Sequence, residues 1–368
     1  MKALVSSLGA LAVVTHAGLA LACGGFFCSQ APVVQTSEKI VFEIEGDLIS
    51  AYIQIQFQGP DEDFAWVVPI PEVPEVEVGV GAQMFELLDE QTKPTFDGSP
   101  SASTALADFG GGCDGGFFDS RDPELLLSFV PPPDVEVLKQ EVVGPYEVAT
   151  ITGERAADLN LWLQTHGYRV APGSDEIVQS YLDAGMKLLA LRLSPQAASG
   201  SIEPIKLTYR ESRGCAVIPL RLTSIAALPN LEILTWVFGN ARAVLEPGPF
   251  GEVEVDSNQL FAEADYLPAL DRSVDAVGGR AFVTEFAQPS ALVESGGDPV
   301  LDELLLRHAY VTRLRTRIDP TEMTHDPGFT SDPNRPDVSN VRQLRTVSGA
   351  SLTPALFLAL AGLLWRRR

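Results

Sequence analysis

An α+β fold, mainly antiparallel β-sheet with several interspersed helices, follows from three features of the sequence. Short apolar–polar alternations recur along the chain, proline and glycine break them up, and helical periodicity is confined to a few brief stretches. Both ends depart from this pattern and read as targeting or membrane segments.

The chain begins with a single positive charge, Lys2, then an apolar stretch from Leu8 to Leu21, then Ala20-Leu21-Ala22 before Cys23. This is the pattern of a secretory signal peptide over 1–22, with the mature chain starting at Cys23. A lipidated Cys23 is the competing reading, because a cysteine at the new N-terminus is what acylation needs. However, Ala20 and Leu21 stand where a lipoprotein site usually has leucine and a small residue.

Residues 23–145 read as a β-rich first half. Ile40, Phe42 and Ile44 alternate with polar neighbours, Gly46-Asp47 turns the chain, and Ile49 to Phe57 alternates again, which predicts a hairpin over 39–57. A strand over 64–68 runs into Pro69, Pro71 and Pro74, so it is an edge strand or an extended crossover. Gln83 to Gln91 predicts a short helix with Met84, Leu87 and Leu88 on one face. A glycine- and serine-rich stretch from Asp97 to Asp119 follows, and after three prolines a strand is expected over 135–143.

Residues 146–325 read as the α+β second half. A strand from Tyr146 to Ile151 precedes a helix ending at His166, and Ser174 is expected to cap the next helix. Strands are expected at 187–193, 205–209, 216–223 and 231–238, then a helix from Asp256 to Leu267 and strands at 280–286 and 308–318. Residues 326–350 read as an acidic, proline-containing tether. Residues 351–368 read as a membrane anchor or sorting tail: Leu352 to Trp365 is apolar apart from Thr353 and runs into Arg366, Arg367 and Arg368. That apolar stretch is short for a transmembrane helix, and its arginines place this end on the cytoplasmic side.

The formal net charge is −23, and removing Lys2 and the three terminal arginines leaves −27 for the body of the protein. Such a surface disfavours nucleic acid as a partner. All four cysteines, Cys23, Cys28, Cys113 and Cys215, fall in the portion expected to be exported, where thiols tend to pair. Three connectivities are open; Cys23 with Cys28 and Cys113 with Cys215 is the favoured one. His166, His308 and His325 are isolated from one another, and no common hydrolase, zinc-protease or nucleotide-binding motif occurs. No cofactor is predicted. Asp326, Asp332 and Asp337 offer oxygen ligands for calcium, but without the spacing of an EF-hand loop. Arg307, Arg313, Arg315 and Arg317 form a basic interval, expected to pair with neighbouring carboxylates, with an anionic ligand as the alternative.

Several stretches together resemble a known family. They are Cys23-Gly-Gly-Phe-Phe-Cys28, Asp63-Phe-Ala-Trp-Val-Val-Pro-Ile-Pro71, Leu161-Trp-Leu-Gln-Thr-His-Gly-Tyr168, Ile218-Pro-Leu-Arg-Leu-Thr223 and Tyr310-Val-Thr-Arg-Leu-Arg315. The resemblance is to the bacterial proteins grouped as domain of unknown function 2330. It implies an exported context and carries no catalytic residue onto this chain. The resulting expectation is a Gram-negative envelope protein, in the periplasm or at the cell surface, attached to the membrane through its C-terminal segment. Its expected role is to bind or organise an envelope protein or another surface component. An envelope enzyme, either a hydrolase with a dispersed site or a thiol-disulfide protein, is the alternative.

Overall fold

The alternation that predicts the first hairpin has a packing cause: Ile40, Phe42, Ile49, Ala51 and Ile53 share one buried face, while Val41 and Tyr52 are buried on the other. The computed structural model describes residues 34–58, 65–97, 134–168, 170–193, 203–225 and 227–345. The predicted signal peptide over 1–22 and the C-terminal segment over 351–368 lie outside the described residues. Among the described residues no helix is long and apolar enough to cross a membrane.

The chain runs through β1 (Val34–Glu45), β2 (Leu48–Gln58), β3 (Ala65–Ile70), β4 (Glu75–Val78), α1 (Ala82–Thr92) and β5 (Thr95–Asp97). It resumes with β6 (Val135–Val143), β7 (Tyr146–Gly153), α2 (Ala156–Thr165), α3 (Ser174–Asp183), β8 (Lys187–Leu193) and β9 (Ile205–Arg210). Then come β10 (Ala216–Val217), α4 (Leu220–Thr223), β11 (Ala227–Gly239), β12 (Ala243–Leu245), β13 (Gly251–Glu252) and α5 (Tyr266–Asp275). The last elements are β14 (Ala281–Pro289), α6 (Pro299–Arg307), β15 (Tyr310–Ile318), β16 (Gly328–Ser331) and β17 (Val341–Gln343).

Two large sheets organise these elements. One has eight strands in the order β13-β14-β15-β11-β1-β2-β9-β4, and the other has four in the order β3-β8-β7-β6. The neighbours are antiparallel except β1 with β11 and β13 with β14. Smaller sheets join β10, β16 and β12, and β17 with β5. Both large sheets mix strands from before and after residue 145, so the two halves fold into each other. The main core lies between the sheets, where Ile53, Ile233 and Leu314 meet Trp66, Val68 and Leu191. The opposite face of the four-stranded sheet is covered by α2 and α3, with Leu159, Leu163 and Val178 against Val67, Ile151 and Leu188. The opposite face of the eight-stranded sheet takes α1 and α6 over Val41, Trp236 and Phe238, and α5 over Val283. Burying each large apolar side chain contributes roughly 1.5–3 kcal/mol before entropy is charged against it.

Several expectations change. The strand expected over 216–223 shortens to two residues and becomes α4, because Pro219 lacks an amide proton for a ladder and suits a helix start. The helix expected from Asp256 to Leu267 yields to two 3₁₀ turns, with α5 starting only at Tyr266. Asp256 accepts the Asn258 amide and Asp265 accepts those of Phe261 and Ala262, local bonds that compete with a regular helix. Gly173, at φ 85°, is the N-cap of α3, so Ser174 is the first helical residue instead. In α1, Phe85 joins Met84 and Leu88 in the core, and Leu87 is only partly buried. Pro69 sits opposite Leu188 in β3, an edge strand as expected.

The largest correction concerns 326–345, which the sequence presents as a solvated tether. These residues are folded onto the domain: Phe329 is wholly buried in the main core and Leu344 packs with α5. A few apolar side chains among acidic residues and prolines are enough to dock the segment.

Candidate functional site

After β16 the chain becomes a strap laid across the β13–β14 edge of the large sheet. Asp332 N–H donates to Arg242 O (2.9 Å), and Arg242 Nη1 donates to Pro336 O (2.8 Å). Ala287 and Val338 exchange backbone hydrogen bonds of 2.8 Å in both directions. Tyr310 Oη donates to Ala287 O (2.9 Å) and Asp337 Oδ1 (2.5 Å). Burial, reinforced by the Asp337 carboxylate, raises the pKa of that phenol. Beyond Val338 the strap ends in β17, paired with β5, and the Arg345 amide donates to Leu260 O (2.8 Å).

Strap and sheet edge enclose a cleft of about 550 Å³, and a second hollow of about 380 Å³ shares Glu252 and Arg335 with it. Val253, Val255, Val283, Pro336 and Val338 give the cleft apolar walls. Its charged lining comes from Arg242, Arg335 and Arg342 against Glu252, Glu254 and Asp337.

These charges are matched unevenly. Arg242, 8 % exposed, pairs through Nη2 with Glu252 Oε1 at 2.9 Å. The same carboxylate oxygen accepts the Thr284 hydroxyl. Arg242 Nε is buried and donates to no protein atom among the described residues. Arg335 lies 3.7 Å from Asp332 and is half exposed. Arg342 is held only by backbone carbonyls: Nη2 reaches Glu285 O (2.8 Å) and Thr284 O (3.5 Å), and Nη1 reaches Ser339 O and Val341 O. No carboxylate pairs with Arg342 among the described residues, and none of its cations pairs with the exposed Glu254. The cleft therefore holds one guanidinium without a carboxylate, Arg342, one unpartnered buried N–H on Arg242, and two carboxylates without a cation, Glu254 and Asp337, arranged around apolar walls. Its one hydroxyl, on Thr284, donates to Glu252, the carboxylate paired with Arg242.

The residues singled out in the sequence lie elsewhere, with one exception. Cys215 is 1 % exposed and forms no disulfide among the described residues; burial and then the Glu246 carboxylate push its pKa up, which disfavours the thiolate. It borders a small cavity of about 60 Å³ with Tyr181, Tyr209 and Asp326. Cys23, Cys28 and Cys113 lie outside the described residues, so both expected pairings involve positions the structure does not describe. Asp326 is saturated by the Arg221 amide (2.9 Å), Arg221 Nε (3.0 Å) and Tyr181 Oη (2.9 Å). Asp332 accepts the amide of Asn334 (2.9 Å). Only Asp337 reaches the cleft. The three aspartates do not converge, and among the described residues no group of three His, Cys, Asp or Glu side chains could hold a metal.

The arginine interval meets carboxylates as expected. Arg313 reaches Glu285 (2.6 Å) and Asp89 (2.8 Å), Arg317 reaches Asp271 (2.7 Å), and Arg307 pairs with Glu43 and Glu303. His308 Nε2 is 2.9 Å from Glu43, His166 stacks 3.8 Å from Trp162, and His325 lies beside Thr324. Apart from Asp337, the cleft residues gave no sequence signal. Arg242, Glu252, Glu254, Thr284 and Arg342 span a hundred positions without a motif, and only the docked strap brings them together.

A family model described as an uncharacterized protein conserved in bacteria, domain of unknown function 2330, matches residues 17–330. No curated protein and no solved structure matches the chain.

Proposed function

Since the chain belongs to that family of uncharacterized bacterial proteins, whose description assigns no reaction, we propose that it is a non-catalytic binding module of the cell envelope. It is exported by its N-terminal segment and attached to the membrane by its C-terminal one. The cleft under the strap is its ligand site. The observation that carries the reading is Arg342, a half-buried cation in a cleft with only carbonyl dipoles to balance it. A structural arginine gains most from a carboxylate partner, whereas one left with carbonyls can still engage an anionic group. The export and anchoring part rests on the apolar stretches at the two ends of the sequence.

Thermal unfolding of the full chain in detergent, with small probes added, tests the site. Acetate, phosphate, ethylammonium and leucine cover the charge classes. At least one is expected to raise the melting temperature of the native protein and to leave Val253→Trp, which fills the cleft, unmoved. If none does so at tens of millimolar, the cleft is not a ligand site. Recovery of the protein from the cytoplasm with its N-terminal segment uncleaved sinks the envelope reading.

A further inference from the structure

We propose that the cleft takes a zwitterion with an aliphatic body, a free apolar amino acid or a short apolar peptide. Its carboxylate would meet Arg342 and the Nε–H of Arg242, and its ammonium would meet Glu254. The inference rests on the cleft being a ligand site and deepens that reading.

Charge balance makes the first argument. The lining carries three cations and three carboxylates, yet they do not cancel in pairs. Glu252 is committed to Arg242 and Thr284, and Asp337 accepts from Tyr310. Asp337 keeps its charge but is engaged by that hydroxyl, so the charged groups left without any side-chain partner are one guanidinium, Arg342, and one carboxylate, Glu254. A polyanion such as a nucleotide would meet Glu254 and Asp337 as like charges, and a polycation would meet Arg342 and Arg335. A ligand with one charge of each sign satisfies both ends at once.

Arg242 makes the second argument. Its side chain is more than nine-tenths buried, two of its nitrogens are used, and the third, Nε, is buried without a protein acceptor. An unpaired buried donor costs on the order of 1–3 kcal/mol. Nε is closed to solvent, so a carboxylate held at Arg342 would reach it through a turn of the Arg242 side chain, which would relieve that cost.

Five of the lining residues are valine or proline, so the part of the ligand between its charges is aliphatic. About 550 Å³ leaves room for a single amino acid or a short peptide. The two sources share this chemistry and differ only in the spacing of their charges.

Calorimetric titration of the full chain in detergent separates the possibilities with six probes: leucine, leucyl-leucine, and the N-acetyl and C-amide forms of each. The better zwitterion is expected to bind at least about tenfold more tightly than both of its blocked forms. Which zwitterion wins tells amino acid from peptide. Arg342→Gln should bring the zwitterion down to the affinity of its amide, and Glu254→Gln to that of its N-acetyl form. Glu254 is exposed, so its variant remains informative if Arg342→Gln fails to fold. Equal binding of N-acetyl-leucine and leucine overturns the zwitterion while leaving an anion site in place. Binding of acetate or phosphate without any of the six has the same consequence. Binding that survives Val253→Trp removes the cleft itself.

Discussion

Two groups of arginines near β14 have been treated in opposite ways. In the buried group, Arg313 is wholly enclosed, with Glu285 at 2.6 Å, Asp89 at 2.8 Å and the Trp236 ring 5.2 Å from its guanidinium carbon. Glu285, equally enclosed, also accepts Tyr266 Oη at 2.9 Å and lies 3.3 Å from Arg315. Burial acts against the charged form of Asp89, but Arg313 and Lys39 outweigh it and hold the carboxyl below its ordinary range. In the cleft, Arg342 donates to the Glu285 and Thr284 carbonyls and meets no carboxylate among the described residues. A charge that is enclosed must be matched within the protein, because water cannot reach it. One at a cleft can stay unmatched, and that difference separates scaffold from site.

The largest effect should come from breaking the matched group. Glu285→Ala leaves Arg313 with Asp89 and Arg315 with the more distant Glu232 as remaining carboxylate partners, and should cost about 3–5 kcal/mol of folding stability. Urea unfolding measures this. A loss below about 1 kcal/mol would mean that Asp89 and Glu232 suffice to neutralise the cluster, and the contrast with the cleft would lose its energetic basis.

Glu38 shows what burial does to a carboxyl without an arginine. It is 5 % exposed on β1 and receives one hydrogen bond, from Gln35 Nε2 at 3.1 Å. Burial raises its pKa to about 7, only partly offset by that bond. Between about pH 4.5 and 7 the folded state therefore holds a proton that the unfolded state has released, and stability falls as pH rises through this window. Glu38→Gln should stabilise the protein at pH 8 by about 3 kcal/mol, and the gain should vanish below pH 4.5. Melting curves of the native protein and the variant across this range decide it; a gain independent of pH would assign the effect to packing.

A smaller loss is expected for Tyr266→Phe. It removes one hydrogen bond to Glu285 but leaves the arginines in place, and should cost about 1–2 kcal/mol by the same urea measurement. Burial and the nearby Glu285 charge raise the pKa of this phenol, so it remains a donor throughout the physiological range. A cost equal to that of Glu285→Ala would show that the tyrosine, rather than the arginines, sustains the buried carboxylate.

How far the sequence reveals these regions depends on how local their causes are. The β1–β2 hairpin was legible because the two-residue alternation of Ile40 to Ile44 and the Gly46 turn are local signals, and burial of one face enforces them. The pairing of Arg313 and Arg317 with carboxylates was legible as chemistry, although Glu285, Asp89 and Asp271 could not be named without the fold. The strap was misread because acidic residues and prolines dominate 326–345, while Phe329 and Leu344, which dock it, are too few to make a period. The cleft could not be read at all: its charges depend on Arg242, Glu254 and Arg342 meeting across a hundred residues of chain.

The smallest effect on stability should come from Arg342→Gln, and its smallness is what makes the variant useful. The side chain is half-buried and ends against backbone carbonyls rather than a carboxylate, so removing its charge leaves no enclosed ion behind. Glutamine retains a donor for one of those carbonyls. The folding free energy should change by no more than about 0.5 kcal/mol, as at an ordinary surface position. If urea unfolding instead shows a loss like that of Glu285→Ala, the arginine is a structural clamp fastening the strap to β14, and the two groups of charges are alike in kind. If stability holds while the melting response to small ligands disappears, the charge is maintained at the cleft for a partner from outside the chain.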